Sequence, residues 1–389
     1  MQEPTAPAGG IVMPPIDLVV LKVAAPCNLN CTYCYVYNAR DQTFRNRPGM
    51  LDDEMARRVV ERLKRYCDSR PNHRISICLH GGEPLLIGKE RLRRLVALLR
   101  TEMGERLGSL SLQTNAVLVG RSWAELLREL RLSVSVSLDG PARIHDAERV
   151  DRRGRGTHAR TVAGIRNLLQ AGMRVCALCV VRPGESGADV YHYMRSIGLR
   201  DLDFLLPDIS HDDWYGHYGH FPPTAVADFL IAAAEAWLTE DNPDVSIRFL
   251  ADIFRLALGG GQETDAFGGG PMSYVVIETD GSIQANDALR VCEEALGETG
   301  LNVMHNDLNE LGNARPLVRD LVAGVISKPD ACRSCPELDT CGGGYMPHRY
   351  SRANGFNNPS VWCADILKVF AYARQRLDAH RPAAGRLRA

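Results

Sequence analysis

Two periods of hydrophobicity take turns along the first half of this chain. "DLVVLKV" (17–23) is apolar at almost every position, the mark of a strand buried on both faces. "LDDEMARRVVERLKRYC" (51–67) instead spaces its apolar residues three and four apart and opens on an aspartate able to cap, which predicts a helix. The pair of signals recurs. Strand "RISICLH" (74–80) precedes helix "KERLRRLVALLRTEM" (89–103), and strand "LSLQTN" (110–115) precedes helix "SWAELLREL". Strand "LSVSVSLDG" (132–140) leads to helix "ARTVAGIRNLLQAG" (159–172), strand "RVCALCVV" leads to a helix near 187–197, and strand "LDFLLPD" (202–208) closes the series. Six strands separated by helices need crossover connections, so parallel βα units arranged as a barrel are expected. In such folds the chemistry collects at the C-terminal ends of the strands. A cysteine-rich loop follows the first strand and "HGGEPLL" the second, so both open onto that one face.

Beyond the barrel, "PTAVADFLIAAAEAWL" and "VSIRFLADIFRLAL" read as two helices bridging to a C-terminal region. Composition narrows the function classes. With 45% hydrophobic and 24% charged residues, the 389-residue chain has an ordinary globular balance and room for a large core. A net charge of −1 gives no bulk electrostatic case for nucleic acid, and no apolar run is long enough to span a membrane. "MQEPTAPAGG" lacks the blocks of a signal peptide and reads as a short disordered leader, with a cytoplasmic location expected. The basic tail "AHRPAAGRLRA" is also expected to be disordered.

In that setting twelve cysteines read as ligands rather than disulfides. Cys27, Cys31 and Cys34 crowd the loop after the first strand; Cys332, Cys335, Cys341 and Cys363 lie near the C-terminus. Cys67, Cys78 and Cys176 fall in apolar patterns as small core residues would. Cys176 and Cys179 sit three apart on one strand, on opposite faces, and should not share a metal. Three thiolates binding an iron–sulfur cube leave one iron open, whereas four leave none. A zinc site remains the alternative for both groups.

The spacing C-x3-C-x2-C after a first βα-barrel strand, with Tyr33 before the third cysteine, resembles the radical S-adenosylmethionine (SAM) superfamily. The resemblance implies a partial (β/α)6 barrel over residues 15–221, following a leader at 1–14. It also implies a SAM-binding [4Fe–4S] cluster on Cys27, Cys31 and Cys34, whose open iron takes the amino and carboxylate groups of SAM and yields a 5′-deoxyadenosyl radical. "GGEPLL" matches the superfamily's glycine-rich motif and assigns Gly81, Gly82, Glu83 and Pro84 to the SAM amino group. "QTNA" and "SVSLDGP" set Gln113, Thr114, Asn115, Ser137 and Asp139 at the third and fourth strand ends, where relatives line the SAM ribose and the substrate cavity. Arg149, in "HDAERVDRRGRGTH", is a candidate for the SAM carboxylate, against the alternative of a solvated basic loop.

The C-terminal "CRSCPELDTCGGGYMPHRYSRANGFNNPSVWC" resembles the SPASM extension of peptide- and protein-modifying radical SAM enzymes. It is assigned here to residues 271–375, after a helical bridge at 222–270 and before a tail at 376–389. In its fullest form that extension binds two auxiliary clusters. Cys332, Cys335, Cys341 and Cys363 supply one complete auxiliary [4Fe–4S] set. Ligands of the other are missing: Tyr345 and Asn286 stand where cysteines are expected, and "GGGP" (268–271) offers none. Two clusters in total are therefore expected, and Cys292 cannot hold a third alone.

"CGGGYMPHRY" and "NPSVWC" narrow the resemblance to SPASM maturases that form cyclophanes in ribosomally made peptides, joining an aromatic ring carbon to the β-carbon of a residue two positions later. The alternative is another radical modification of a peptide or protein: formylglycine formation, epimerisation or hydroxylation. Asp287 is the candidate base for the ring proton, or else the cap of a helix beginning "DALRVCEEAL". The implied partners are a precursor peptide and an external reductant of the flavodoxin or ferredoxin type. "HDDWYGHYGH" (211–220) reads as a loop, and His348 and Arg349 as neighbours of the auxiliary cysteines. Some twenty residues before the first strand are too few for a leader-binding domain.

Overall fold

The computed structural model describes residues 11–262, 264–267 and 270–380. The N-terminal ten residues of the expected leader and the last nine of the expected tail lie outside them. The alternation read from the sequence is present as β1 (Leu18–Ala24), α1 (Asp53–Asp68), β2 (Ile75–Gly81), α2 (Lys89–Met103), β3 (Leu107–Thr114), α3 (Arg121–Glu129) and β4 (Ser133–Ser137). It continues through α4 (Ala142–Glu148), α5 (His158–Gln170), β5 (Val175–Val180), α6 (Gly187–Ser196) and β6 (Asp201–Leu205). Asp52 caps α1 through its side chain, accepting from the Met55 N–H as the sequence predicts. Strands β1 to β6 are parallel neighbours in chain order, with register shifts in the β1–β2 and β2–β3 pairs. All six therefore end on the same rim.

Two segments depart from the sequence reading. The expected loop at 211–220 is a helix, α7 (His211–Tyr218), with Asp212 and Asp213 in its first turn. Its Trp214 and Tyr218 pack edge-on against Trp362, an anchor too distant in sequence for local pattern to reveal. The expected helix from 287 is only a 3-10 turn, Asp287–Val291. Asn286, not Asp287, caps it, accepting from the Ala288 N–H at 2.8 Å. Cap and acid are adjacent residues, and sequence alone does not say which side chain turns back.

The remaining chain extends the same sheet. Helix α8 (Ala225–Glu240) packs on α6, β7 (Ser246–Ile247) adds an edge strand beside β6, and α9 (Arg248–Ala257) returns over β6. On the other side, β8 (Tyr274–Ile277) pairs parallel to β1, and β9 (Ser282–Gln284) and β10 (Glu298–Asn302) follow antiparallel. The result is one ten-stranded sheet in the order β10-β9-β8-β1-β2-β3-β4-β5-β6-β7. Helices α10 (Pro316–Val322), α11 (Leu338–Cys341), α12 (Met346–Arg349) and α13 (Cys363–His380) complete the chain, and α13 rests on α8 and α9. A second small core gathers Leu289, Val291, Leu296, Tyr350 and Phe356 around Cys292, which is fully buried. Among the described residues no helix is long and apolar enough to cross a membrane.

Backbones approach most closely where α6 meets α8: a Cβ on Gly187 would stand 1.9 Å from the Phe229 carbonyl oxygen. Gly187→Ala is therefore expected to lower unfolding free energy by about 1–3 kcal/mol through overpacking, read from denaturant melts of the full chain.

Candidate active site

The loop after β1 carries Cys27, Cys31 and Cys34 and folds back over the rim, closed by the Cys34 N–H on the Cys31 carbonyl at 3.0 Å. It presses against the loop after β2. The Gly82 N–H bonds to the Ala24 carbonyl at 2.8 Å, and a Cβ on Gly82 would fall 1.9 Å from the Tyr37 hydroxyl and 2.4 Å from the Pro26 oxygen. Only glycine fits there. The thiols are electrostatic neighbours and partly or fully buried, and burial pushes all three upward in pKa. They become thiolates only against a positive partner, as iron would be.

These cysteines line a cavity of about 350 Å³ with Gly81, Gly82, Asn115, Ser137, Arg149 and Asp287. Glu83, Pro84 and Asp139 do not line it. Glu83 is wholly buried and its carboxylate is spent on the Thr114 hydroxyl (2.7 Å), the Asn115 N–H (2.8 Å) and the Leu85 N–H (3.1 Å). It shapes the rim at the end of β3. Pro84 starts a buried 3-10 turn, Pro84–Ile87. Asp139 accepts from the Tyr33 hydroxyl (2.6 Å) and the Val180 N–H (3.1 Å), and Arg149 Nη1 donates to the same hydroxyl at 2.7 Å. Arg149 thus belongs to a buried chain holding the cysteine loop to β4, and the solvated-loop alternative fails. Its Nε has no protein partner, an orphaned donor in the cavity wall that a carboxylate would satisfy. The open three-thiol loop, the glycine-only contact and this orphaned donor fit a SAM-bound cluster.

Opposite stands the acid. Asp287 Oδ2 accepts from Lys22 Nζ at 2.5 Å and from the Tyr35 hydroxyl at 3.1 Å. Burial pushes the carboxyl up, but the Lys22 ammonium, only 3% exposed, overrides it and holds Asp287 at about 2. The pair is intact from neutrality down, and its stabilisation is lost only as pH falls through about 2. His80, lowered to about 3 by burial and by Lys22, is neutral, and its Nδ1 takes the Gly81 N–H at 2.8 Å. Asp208 behaves oppositely to Asp287: burial and the Asp287 and Asp265 charges push it up to about 8. It lines both this cavity and a second one of about 510 Å³ running beneath α7. Lys22, Tyr35, His80 and Asp208 escaped the sequence reading. A lysine inside the apolar run "LVVLKVA" was the one available signal.

Among the C-terminal residues, Cys332 lies in a 3-10 turn, Cys341 ends α11 and Cys363 opens α13. The Cys341 thiol feels Cys363, Cys332 and Cys335, and Cys363 feels Cys332 and Cys335, so the four converge. Where the other auxiliary ligands are expected, Asn286 Nδ2 donates to the Tyr345 hydroxyl at 2.8 Å. Two substituted positions have become partners of each other. His348 and Arg349 part company: His348 lines the active cavity, and Arg349 turns inward.

Fold and site together define a protein built around a cysteine-loop barrel with a second, four-thiol centre. Residues 22–197 match the Radical SAM superfamily. The chain is 31% identical over 378 residues to the serine-type anaerobic sulfatase-maturating enzyme of Klebsiella aerogenes, covering 90% of this chain and 83% of that one. It therefore belongs to the radical SAM superfamily, on the branch of these sulfatase-maturating relatives. The cysteine-type enzyme of Clostridium perfringens (strain 13) is 27% identical over 372 residues, 94% of this chain and 98% of its own. The solved structure of anSMEcpe with bound AdoMet and Cp18Cys peptide superposes with a TM-score of 0.79 at 25% identity, covering 94% and 98% of the two chains. SAM and [4Fe–4S] clusters are the cofactors of this chain; Cys27, Cys31 and Cys34 are the proposed ligands of one cluster, and Cys332, Cys335, Cys341 and Cys363 those of an auxiliary one. Anaerobically reconstituted protein should carry about eight irons and eight sulfides. A tally near twelve would place a further cluster at the Asn286–Tyr345 position.

Proposed function

We propose that this protein is a maturase that joins the β-carbon of one residue in a ribosomally made peptide to an aromatic ring carbon two residues away. When bound, SAM and the front cluster supply a carbon radical able to take a hydrogen atom from an unactivated position. Everything else falls to the chain. The observation carrying the reading is Asp287: an ionised carboxylate, fixed by Lys22 and Tyr35, on a cavity whose wall also includes the apolar Leu178, Val180, Phe204, Leu206 and Phe249. An apolar wall suits an aromatic ring, and a carboxylate suits the one proton that ring must shed to regain aromaticity. The substrate then loses two hydrogens overall: one as an atom, the other as a proton to Asp287 with its electron passed on. Asp287 is the base in this reading, since Asn286 already does the capping.

Formylglycine formation is the second reading, favoured by the names of the sulfatase-maturating relatives. The Asn286–Tyr345 pair, set where an auxiliary ligand set is missing, weighs against it. Both readings make the protein a radical modifier of a peptide or protein, with an external one-electron reductant and a cytoplasmic site of action.

Anaerobic co-expression with a short peptide encoded beside the gene, followed by tandem mass spectrometry, separates them. A loss of two hydrogens with no fragmentation inside one aromatic-containing three-residue window is expected. The same loss confined to a single serine would establish formylglycine instead. In Asp287→Asn, 5′-deoxyadenosine should still form while crosslinked peptide falls about 100-fold or more. Unchanged product yield would remove Asp287 as the base.

A further inference from the structure

Arg349 is among the largest fully buried side chains of the protein, at 1% exposure, yet it meets no carboxylate among the described residues. Its fork is satisfied by neutral acceptors. Nη2 donates to the Ser327 carbonyl at 2.6 Å and the Phe356 carbonyl at 2.8 Å, Nε donates to Phe356 at 3.2 Å, and Nη1 lies 3.2 Å from the Met346 sulfur. Burying a guanidinium without a counter-charge costs several kcal/mol, on the order of the penalty for any lone buried ion. Among the described residues, the groups whose negative charge would act on it are the thiols of Cys332 and Cys341. Lys328, half-buried, faces the same two sulfurs.

The local backbone is shaped to bring this about. Gly342, Gly343 and Gly344 follow Cys341 with φ of +64°, +91° and +87°, a left-handed run that residues with a Cβ resist. It folds the chain so tightly that a Cβ on Gly343 would stand 3.8 Å from Arg349 Cζ and 2.9 Å from the Pro329 ring. A Gly344 Cβ would collide with Ser360, three residues before Cys363. The glycine run therefore packs Arg349 against the ligand loop.

We infer that Arg349, seconded by Lys328, is the built-in counter-charge of the auxiliary cluster and sets its reduction potential high enough for it to take the substrate's electron. This rests on the reading that Cys332, Cys335, Cys341 and Cys363 hold a [4Fe–4S] cluster. Adding one electron raises the negative charge of a four-thiolate cube, and a fixed cation in a low-dielectric surround favours that reduced state. The electron left behind when the ring gives its proton to Asp287 would reduce the cube by one unit, and an external carrier reoxidises it. Arg349 is a positioning residue: it touches neither substrate nor SAM.

The test is an EPR-monitored redox titration of the reconstituted holoenzyme. Arg349→Gln should shift the auxiliary cluster's one-electron equilibrium about tenfold or more toward the oxidised form, about 59 mV. The front cluster should not move, and Arg349→Lys should restore most of the shift. Lys328→Met, which leaves every Arg349 tether in place, should give a smaller shift of the same sign. That variant decides the matter if Arg349→Gln fails to assemble the cluster. An unchanged potential in either cluster-loaded neutral variant, or an equal shift in Arg349→Lys, would overturn the inference. Zinc in place of iron at the four thiols of the wild-type protein would remove the cluster itself, and the inference with it, and is read separately by metal analysis.

Discussion

The ion pair between Lys22 and Asp287 is the constraint on which the site depends. Lys22 belongs to β1 and Asp287 to the turn after β9, 265 residues later, and the two meet because β8 pairs directly with β1. A buried ammonium needs a partner, and a carboxylate meant to stay ionised in an apolar cavity needs a cation. Each resolves the other's burial. Through Tyr35, the same acid is also tied to the cysteine loop. One contact thus sets the barrel, the C-terminal region and the cluster loop at a common point.

Two carboxyls in one cavity hold opposite protonation states. Asp287 is held at about 2 by Lys22 against burial, and Asp208 is pushed up to about 8 by burial and by the Asp287 and Asp265 charges. Environments that separate two acids in this way are the usual physical basis for dividing acid and base roles. Asp208 also stands where the two cavities meet. Around them, polar groups at the rim serve structure as much as chemistry. Glu83 is consumed by the Thr114 hydroxyl and the Asn115 and Leu85 N–H groups, and Arg149, Tyr33 and Asp139 brace the loop that carries the thiols.

The C-terminal centre shows how a lost ligand set can be absorbed. Asn286 and Tyr345 bond to each other, and Cys292 sinks into a small apolar core. The remaining four cysteines keep their loop geometry through consecutive left-handed glycines. One part of the region is ordinary packing, and the other carries the four cysteines proposed to hold a cluster.

By itself the sequence determined the alternating strands and helices, the shared rim and the two cysteine sets. Those features are local: they rest on hydrophobic period, capping residues and ligand spacing, all readable within a few turns of chain. Tertiary structure alone decided which polar residues face the cavity. Nothing near Asp287 announced that Asn286 would cap in its place, nor that Lys22 would be its partner, because side-chain direction at a turn follows from packing across the sheet. The helix at 211–218 was hidden for the same reason, since its anchor, Trp362, lies some 150 residues away. Charge placement is a long-range property, so the Lys22–Asp287 pairing appears only once β8 lies beside β1.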